Sequence, residues 1–175
     1  MGTGVELICR KCRYSFRMNF GVGFGFPQFY REIIEEAKAG KLGESVQAFL
    51  RDHTDGALDC DQVLLQCTSC DKLDRGIDLS MYIPKDRPVE HDGIWTGAFT
   101  FEGIVYVAPW ELKKHYKLVK RYDHVCRKCR NQMRVIREKD LIVEDLESDG
   151  NETVVNVRCP KCHRPMVMGE QLMWD

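Results

Sequence analysis

The 175-residue sequence predicts an α+β protein, built mostly of small β modules around two metal sites, with a helical hairpin inserted in the first module. Three patterns support this prediction. Cysteines recur in pairs of one spacing, short stretches alternate apolar and polar residues, and apolar residues between positions 27 and 52 follow helical spacing. A composition of 43% hydrophobic and 10% aromatic residues is typical of a folded globular chain.

The cysteines carry the strongest signal. Of the nine, eight form four CxxC pairs and only Cys60 stands apart. The two-residue spacing lets one tight turn aim two thiolates at a tetrahedral cation, and a second turn completes the site. We therefore predict two structural zinc sites with four thiolates each, and iron in a rubredoxin-like site is the minor alternative. The predicted ligands are Cys9, Cys12, Cys67, Cys70, Cys126, Cys129, Cys159 and Cys162.

The four pairs are alike in ligand type, so their partners must be inferred from chain order. Sequential elements usually neighbour each other in space. This favours joining the first pair to the second and the third pair to the fourth, over interleaved arrangements.

Two segments, CRKCRNQMRVI from Cys126 and CPKCHRPMVM from Cys159, resemble the paired knuckles of zinc-ribbon and rubredoxin-type domains. The usual pattern of that superfamily is CPxCG, and here Arg130 and His163 stand where glycine is usual. The whole layout is similar to uncharacterised bacterial double-zinc-ribbon proteins. The resemblance implies two zinc ribbons with each knuckle at the tip of a β-hairpin. It implies functions that range from nucleic-acid binding to electron transfer and subunit docking.

The stretch after the first pair predicts a strand, a turn and a helix. Residues 14–20 alternate aromatic or Met with polar side chains, which indicates a strand with one buried face. The GVGFGFP segment at 21–27 has the glycines of a phosphate-binding loop but no Gly-Lys-Ser/Thr ending, so a sharp turn is favoured over a nucleotide site. A helix then begins at Pro27 and ends at Gly40.

A second short helix is predicted where Val46, Phe49 and Leu50 share one face. Residues 63–66 predict a strand leading into the second cysteine pair. The alternating segment Ile77 to Ile83 predicts a strand leaving that pair, so that the two strands form a ribbon hairpin.

These elements suggest three segments. Residues 1–83 form the first zinc ribbon with its helical insert, 84–112 a packed hydrophobic connection, and 113–175 a second, basic zinc ribbon. The aromatic residues of the connection form either a core between the modules or an exposed recognition surface. They are Trp95, Phe99, Phe101, Tyr106 and Trp110.

Charge is concentrated in one stretch. The formal net charge is −1, yet residues 113–139 hold eleven Lys or Arg against two acidic residues. The stretch is expected to form a strand, a knuckle and a returning strand, which can follow a phosphate backbone. The alternatives are that its charges offset zinc-bound thiolates or pair with the acidic segment 140–152. The candidate nucleic-acid contacts are Lys117, Lys120, Arg121, Arg127, Lys128, Arg130 and Arg134.

The sequence predicts a non-enzymatic protein. It contains no HExxH, GxSxG or Walker motif, and sites closed by four thiolates leave no position for substrate. Cys60 with His53 or His91 resembles a nucleophile and base, but flanking aspartates oppose a low thiol pKa, so a buried thiol is expected.

The predicted function is a zinc-binding adaptor that contacts nucleic acid through the basic second ribbon. The alternatives are a protein-docking module that uses the helical insert and the aromatic connection, and a rubredoxin-like iron electron carrier. With no apolar run of membrane-spanning length and no secretion signal at its start, the chain is expected in the cytoplasm, with no membrane partner.

Overall fold

The computed structural model describes residues 2–21, 26–85, 98–101, 104–142 and 153–174. Within them, the α-helices are α1 Phe26–Lys38, α2 Glu44–Asp52 and α3 Pro109–His115. The strands are β1 Gly2–Ile8, β2 Ser15–Phe20, β3 Ala57–Leu58, β4 Gln62–Cys67, β5 Leu73–Ile77, β6 Met81–Pro84, β7 Ala98–Phe101, β8 Ile104–Val107, β9 Tyr116–Lys120, β10 Met133–Ile136, β11 Val154–Arg158 and β12 Pro165–Trp174. A short 3-10 helix spans Glu138–Asp140. No helix in these ranges has the length and apolarity needed to cross a bilayer.

The chain divides into two compact units that are discontinuous in sequence. Unit 1 comprises Met1–Gly23, Gln62–Gly76 and Asp123–Asp175, and unit 2 comprises Phe24–Asp61 and Ile77–Tyr122. This division differs from the three consecutive segments expected from the sequence, because each unit is assembled from separate stretches of chain.

Unit 1 contains two antiparallel sheets. The first has the strand order β11-β12-β1-β2, and the second has the order β10-β4-β5. In the first sheet, β12 runs along β1 with Gly2 opposite Trp174 and Ile8 opposite Val167. Strands near opposite ends of the sequence are therefore direct neighbours.

One core joins the two sheets of unit 1. The predicted alternation after the first cysteine pair is confirmed, since β2 buries Met18 and Phe20. They pack in one cluster with Leu7 of β1, Leu64 of β4 and Ile136 of β10. Burial of apolar side chains from both sheets stabilises unit 1 as a whole, at roughly 25 cal/mol for each Å² removed from water.

Unit 2 contains the helices, the three-stranded sheet β3-β6-β9 and the hairpin β7-β8. Both predicted helices of the 27–52 region form, and α1 ends where Gly40 adopts φ +77°. Their apolar faces share a core with β6 and β8, in which the rings of Tyr30 and Tyr106 meet edge to face at 4.9 Å. Unit 2 thus has its own hydrophobic core.

Two strand predictions are corrected. The segment Ile77 to Ile83 is not one strand, because β5 ends at Ile77 and Leu79 turns the chain with φ +58° before β6 begins. The strands that flank the third cysteine pair both form, but β9 pairs with β6 and β10 pairs with β4. They do not pair with each other. Among the described residues, the arms of the predicted basic ribbon hairpin meet close to the third cysteine pair, where Val125 and Gln132 form an isolated antiparallel bridge.

Candidate metal centres

The structure gathers the eight paired cysteines into two groups of four, both in unit 1. In each group the four Sγ atoms lie within 4.8 Å of one another. The outer tetrad combines the first pair with the fourth, and the inner tetrad combines the second pair with the third. The outer tetrad is Cys9, Cys12, Cys159 and Cys162, and the inner tetrad is Cys67, Cys70, Cys126 and Cys129.

The predicted pairing of neighbouring pairs is therefore wrong. Strand pairing explains the nested arrangement. Because β12 lies beside β1, the turn before β12 meets the turn after β1. Because β10 lies beside β4, with Met133 opposite Cys67, the third pair meets the second. The order of the cysteine pairs along the chain does not indicate which distant strands pair, so it could not predict this arrangement.

All four cysteine pairs adopt the same turn. In each, the N–H of the residue after the second cysteine donates to the carbonyl of the first cysteine at 2.9–3.2 Å. The N–H of the first cysteine donates to the carbonyl five residues later at 2.8–2.9 Å. The residue after the second cysteine has a left-handed backbone every time, with φ of 54–64°. These residues are Arg13, Asp71, Arg130 and His163. The turn forms without the glycine of the usual pattern.

Backbone N–H groups also point at the sulfur atoms. The N–H groups of Ser69 and Cys70 lie 3.4 and 3.5 Å from Cys67 Sγ, and that of Lys161 lies 3.4 Å from Cys159 Sγ. Such donors stabilise the thiolate form of cysteine.

The sulfur separations fit a tetrahedral metal site. Sγ atoms from different pairs lie 3.4 and 3.5 Å apart in the outer tetrad, and 3.3 to 3.8 Å apart in the inner one. A tetrahedron with metal–sulfur bonds of about 2.3 Å has edges of about 3.8 Å. A disulfide requires about 2.05 Å, and all nine cysteines are free. Each tetrad can therefore hold one thiophilic ion.

Without a metal, the thiols of the outer tetrad differ in pKa. The N–H of Cys12, together with further hydrogen bonds, lowers the pKa of Cys9 to about 6 against the opposing effect of burial. Burial raises the pKa of Cys159 to about 12 despite two backbone donors.

The thiols of the inner tetrad also differ from one another in pKa. Hydrogen bonds led by Asn131 lower the pKa of Cys129 to about 6. The N–H of Lys72 opposes the rise at Cys70, but burial and the neighbouring sulfurs outweigh it and raise its pKa to about 11. Four adjacent thiolates require a compensating cation, which a divalent metal bound by the tetrad would supply.

Each tetrad contains a cysteine pair whose turn carries exposed basic residues. The first and third pairs share the sequence CRKCR, and the three basic residues of each copy are exposed. Lys161 lies 5.5 Å from the centre of the Tyr14 ring beside the outer tetrad. Four thiolates on one divalent ion leave a charge of about −2, which nearby cations offset.

The seven candidate nucleic-acid contacts are divided between the units. Lys117, Lys120 and Arg121 are exposed in or after β9 of unit 2. The other four belong to unit 1, where Arg127, Lys128 and Arg130 are exposed on the third pair's turn and Arg134 is half-buried. Arg134 donates to Gln66 and Asn156 and so helps to organise unit 1.

The aromatic residues of the connection that the structure describes differ in solvent exposure. Tyr106 is buried in the core of unit 2, whereas Trp110 is 63% exposed on α3. Lys113 and Lys114 share its face of the helix at spacings of three and four residues. Trp95 and the side chains of Phe99 and Phe101 lie outside the described residues, as do positions 22–25 of the glycine-rich loop and 143–152 of the acidic segment.

Cys60 is buried as expected, with 4% of its surface exposed. Burial raises its pKa well above the ordinary value, and Asp59, Asp61 and Asp78 add to the rise. Such a thiol is a poor nucleophile. The ring of His53 packs against Phe49 at 5.0 Å, and His91 lies outside the described residues.

Sequence reasoning missed two features of unit 1. His163 Nδ1 lies 2.7 Å from Asp71 Oδ2, so the residue after the fourth pair contacts the residue after the second. Gln66, Asn156 and Arg158 gather around Arg134. The alternating burial of β11 marks Asn156 and Arg158 as outward-facing, but nothing local indicates their partner.

Comparison with known proteins gives no match: no protein-family model, curated protein or solved structure corresponds to this chain. The two cysteine tetrads are consistent with a zinc-ribbon-like arrangement on geometry alone.

Proposed function

We propose that the protein is a non-enzymatic binding module of the cytoplasm whose unit 1 is held together by two structural zinc ions. The observation that carries this proposal is the pair of closed tetrads. Each supplies four sulfur ligands to one point, so no coordination position remains for water or substrate. Nine free cysteines are also in keeping with a reducing compartment.

Zinc is favoured over iron because structural four-cysteine sites in proteins mostly hold zinc, although rubredoxin-type iron uses the same ligands. Elemental analysis of protein expressed without added metal tests the choice. We expect two zinc ions per chain and no visible absorption. A red protein with about two iron ions per chain, reducible by one electron at each site, would instead establish an electron carrier.

The proposed partner is a single-stranded nucleic acid, bound by a surface of unit 2 that we call the α3–β9 surface. It consists of Trp110, Lys113, Lys114, Lys117, Lys120 and Arg121, all exposed. An exposed tryptophan beside lysines offers a base a stacking platform and offers its phosphates positive charge. Lys85 Nζ donates to the carbonyls of Lys113 and Lys114 at 3.2 and 3.0 Å, which ties the last turn of α3 to the end of β6.

Fluorescence anisotropy with the metal-loaded full chain tests this partner. Short single- and double-stranded DNA and RNA are titrated across a salt series. We expect single strands to bind, and Lys113→Gln with Lys114→Gln to lower the salt slope by about 0.7 for each lost phosphate contact. Trp110→Ala should weaken binding by about 1–3 kcal/mol for a stacked base.

A matched control removes two exposed lysines elsewhere in unit 2, at Lys38 and Lys41. Equal losses in the control and in the Lys113/Lys114 variant would show that the binding is unspecific. No binding at low salt would overturn the nucleic-acid proposal and redirect the search to a protein partner. The exposed Leu118 and Val119 of β9 are the first place to look.

A further inference from the structure

Unit 1 contains a cleft beside the inner tetrad, whose ligand Cys67 forms part of the cleft lining. Its volume is about 420 Å³, within the range of small-molecule sites. Side chains from the ends of β4, β10 and β11 line it, among them Gln66, Arg134, Asn156 and Arg158. Strands β10 and β11 are edge strands of the two different sheets. The cleft therefore lies at the seam between the two sheets of unit 1.

Arg134 is fixed at this seam by a network of hydrogen bonds. Its Nε donates to Gln66 Oε1 at 3.2 Å, and its Nη1 donates to Asn156 Oδ1 at 3.2 Å. Its Nη2 donates to Gln66 Oε1 and to the Asn156 carbonyl. Gln66 is 2% exposed and itself donates to the Arg158 carbonyl at 2.8 Å. These bonds use four of the five guanidinium N–H groups, and one N–H of Nη1 remains.

Arg158 brings a second guanidinium to the same cleft. Residues 155–158 of β11 all contribute to the lining, and of these Asn156 and Arg158 are exposed whereas Val155 and Val157 are buried. Within the part of the chain that the structure describes, the Arg158 side chain has no hydrogen bond or ion pair. The amide nitrogen of Asn156 is likewise not used as a donor there.

The lining of the cleft contains two arginines, one aspartate and the inner-tetrad ligand Cys67. Burial lowers the pKa of Arg134, Asp71 opposes that effect, and the charge of Arg158 adds to it. Asp71 is the acidic side chain of the lining, and His163 already contacts it at 2.7 Å. Two arginines that disfavour each other's charge gain energy when an anion lies between them.

We propose that this cleft binds a phosphate group, with Arg134 and Arg158 as its charged contacts and the Asn156 amide as a further donor. The oxygens of a phosphate lie in more than one plane, so they can accept from both guanidiniums and the amide together. A carboxylate has two oxygens in one plane and matches a single guanidinium better. The phosphate belongs either to a small molecule of nucleotide size or to a nucleic-acid backbone. The site lies in unit 1 and does not depend on the proposed α3–β9 surface.

Isothermal titration calorimetry on the zinc-loaded full chain tests the proposal. The probes are inorganic phosphate, adenosine monophosphate and a short single-stranded RNA, each at low and moderate salt. Arg158→Gln removes the exposed contact without touching the core, and circular dichroism checks its folding. Arg164→Gln is the matched control, because Arg164 is also exposed in unit 1 but does not line the cleft.

We expect at least one probe to bind and Arg158→Gln to weaken that binding about tenfold or more, since a charge-assisted hydrogen bond is lost. Arg164→Gln should leave the affinity unchanged. Binding of the two small probes identifies a small phosphate ligand, whereas Arg158-dependent binding of RNA alone identifies a nucleic-acid backbone. The proposal is overturned if no probe binds at millimolar concentration and low salt, or if both variants reduce binding equally.

The same RNA titration separates this proposal from the α3–β9 surface. Loss of binding in the Trp110 and Lys113/Lys114 variants with no effect of Arg158→Gln would overturn the cleft and leave the surface intact. The reverse pattern would retain the cleft and overturn the surface.

Discussion

The residues that follow the second cysteine of each pair hold left-handed backbones at positions where glycine is usual in related turns. Arg130, with φ +64°, is an example. A side chain in this region costs about 1–2 kcal/mol, which glycine avoids. The turn forms in all four pairs although none of them has the glycine of the CPxCG pattern. The hydrogen bonds of the turn offset the strain, and metal binding would add to them.

This strain yields a first prediction. Arg130→Gly should raise the free energy of unfolding by about 0.5–1 kcal/mol, because the relief of strain exceeds the entropy that glycine loses on folding. Urea denaturation at a fixed free zinc concentration measures the change. Lys128→Gly is the control within the same turn, since Lys128 has a negative φ. That variant should be destabilised, and an equal response of both variants would contradict the explanation.

Cys60 gives a second prediction at this scale. Its thiol is buried and its pKa is raised, so only a small fraction is thiolate at pH 8. We expect iodoacetamide to leave Cys60 unmodified in the native protein and to modify it in urea, as mapped by peptide mass spectrometry. Modification of native Cys60 at the rate of an exposed thiol would contradict this description.

At the scale of elements, the chemistry of the site was predictable but its assembly was not. The CxxC spacing identified all eight cysteines that form the tetrads, since a tight turn is a local feature. Periodicity located α1, α2 and β2 for the same reason. Which turn meets which depends on the pairing of β12 with β1 and of β10 with β4, and four identical motifs carry no information about it.

The nested arrangement makes a third prediction about metal content. Cys12→Ser with Cys162→Ser changes two ligands of the outer tetrad only, so one ion should remain bound per chain. Cys12→Ser with Cys70→Ser damages both tetrads, so both ions should be lost to a competing chelator. Native mass spectrometry counts the ions. Pairing of neighbouring pairs along the chain would give the opposite result for the two variants.

At the scale of the molecule, both units have a hydrophobic core, but the cysteine tetrads are confined to one of them. Both tetrads belong to unit 1, whereas unit 2 buries the faces of α1 and α2 with β6 and β8 and has no cysteine tetrad among its described residues. Composition could not reveal this division, because each unit is assembled from segments that are separated in sequence. Only contacts between distant strands define the units.

A fourth prediction follows from this distribution. Chelation of both ions should unfold unit 1, because zinc binding to four-thiolate sites contributes folding energy directly. Unit 2 should keep much of its structure. Hydrogen exchange followed by mass spectrometry should then show lost protection in β1, β4 and β12 and retained protection in α1 and β6. Full protection of β1 and β4 in the metal-free protein would contradict a structural role for the ions.

The nesting of the tetrads also sets an order of events during protein synthesis. All four inner ligands have left the ribosome once Cys129 emerges, whereas Cys9 must wait for Cys162, 153 residues further along. Throughout that interval the first pair is an unoccupied dithiol and β1 has no β12 beside it. An ion bound by the outer tetrad would therefore mark a chain translated beyond Cys162. A nascent chain stalled before Cys162 would expose the thiols of the first pair and the edge of β1 that β12 later covers.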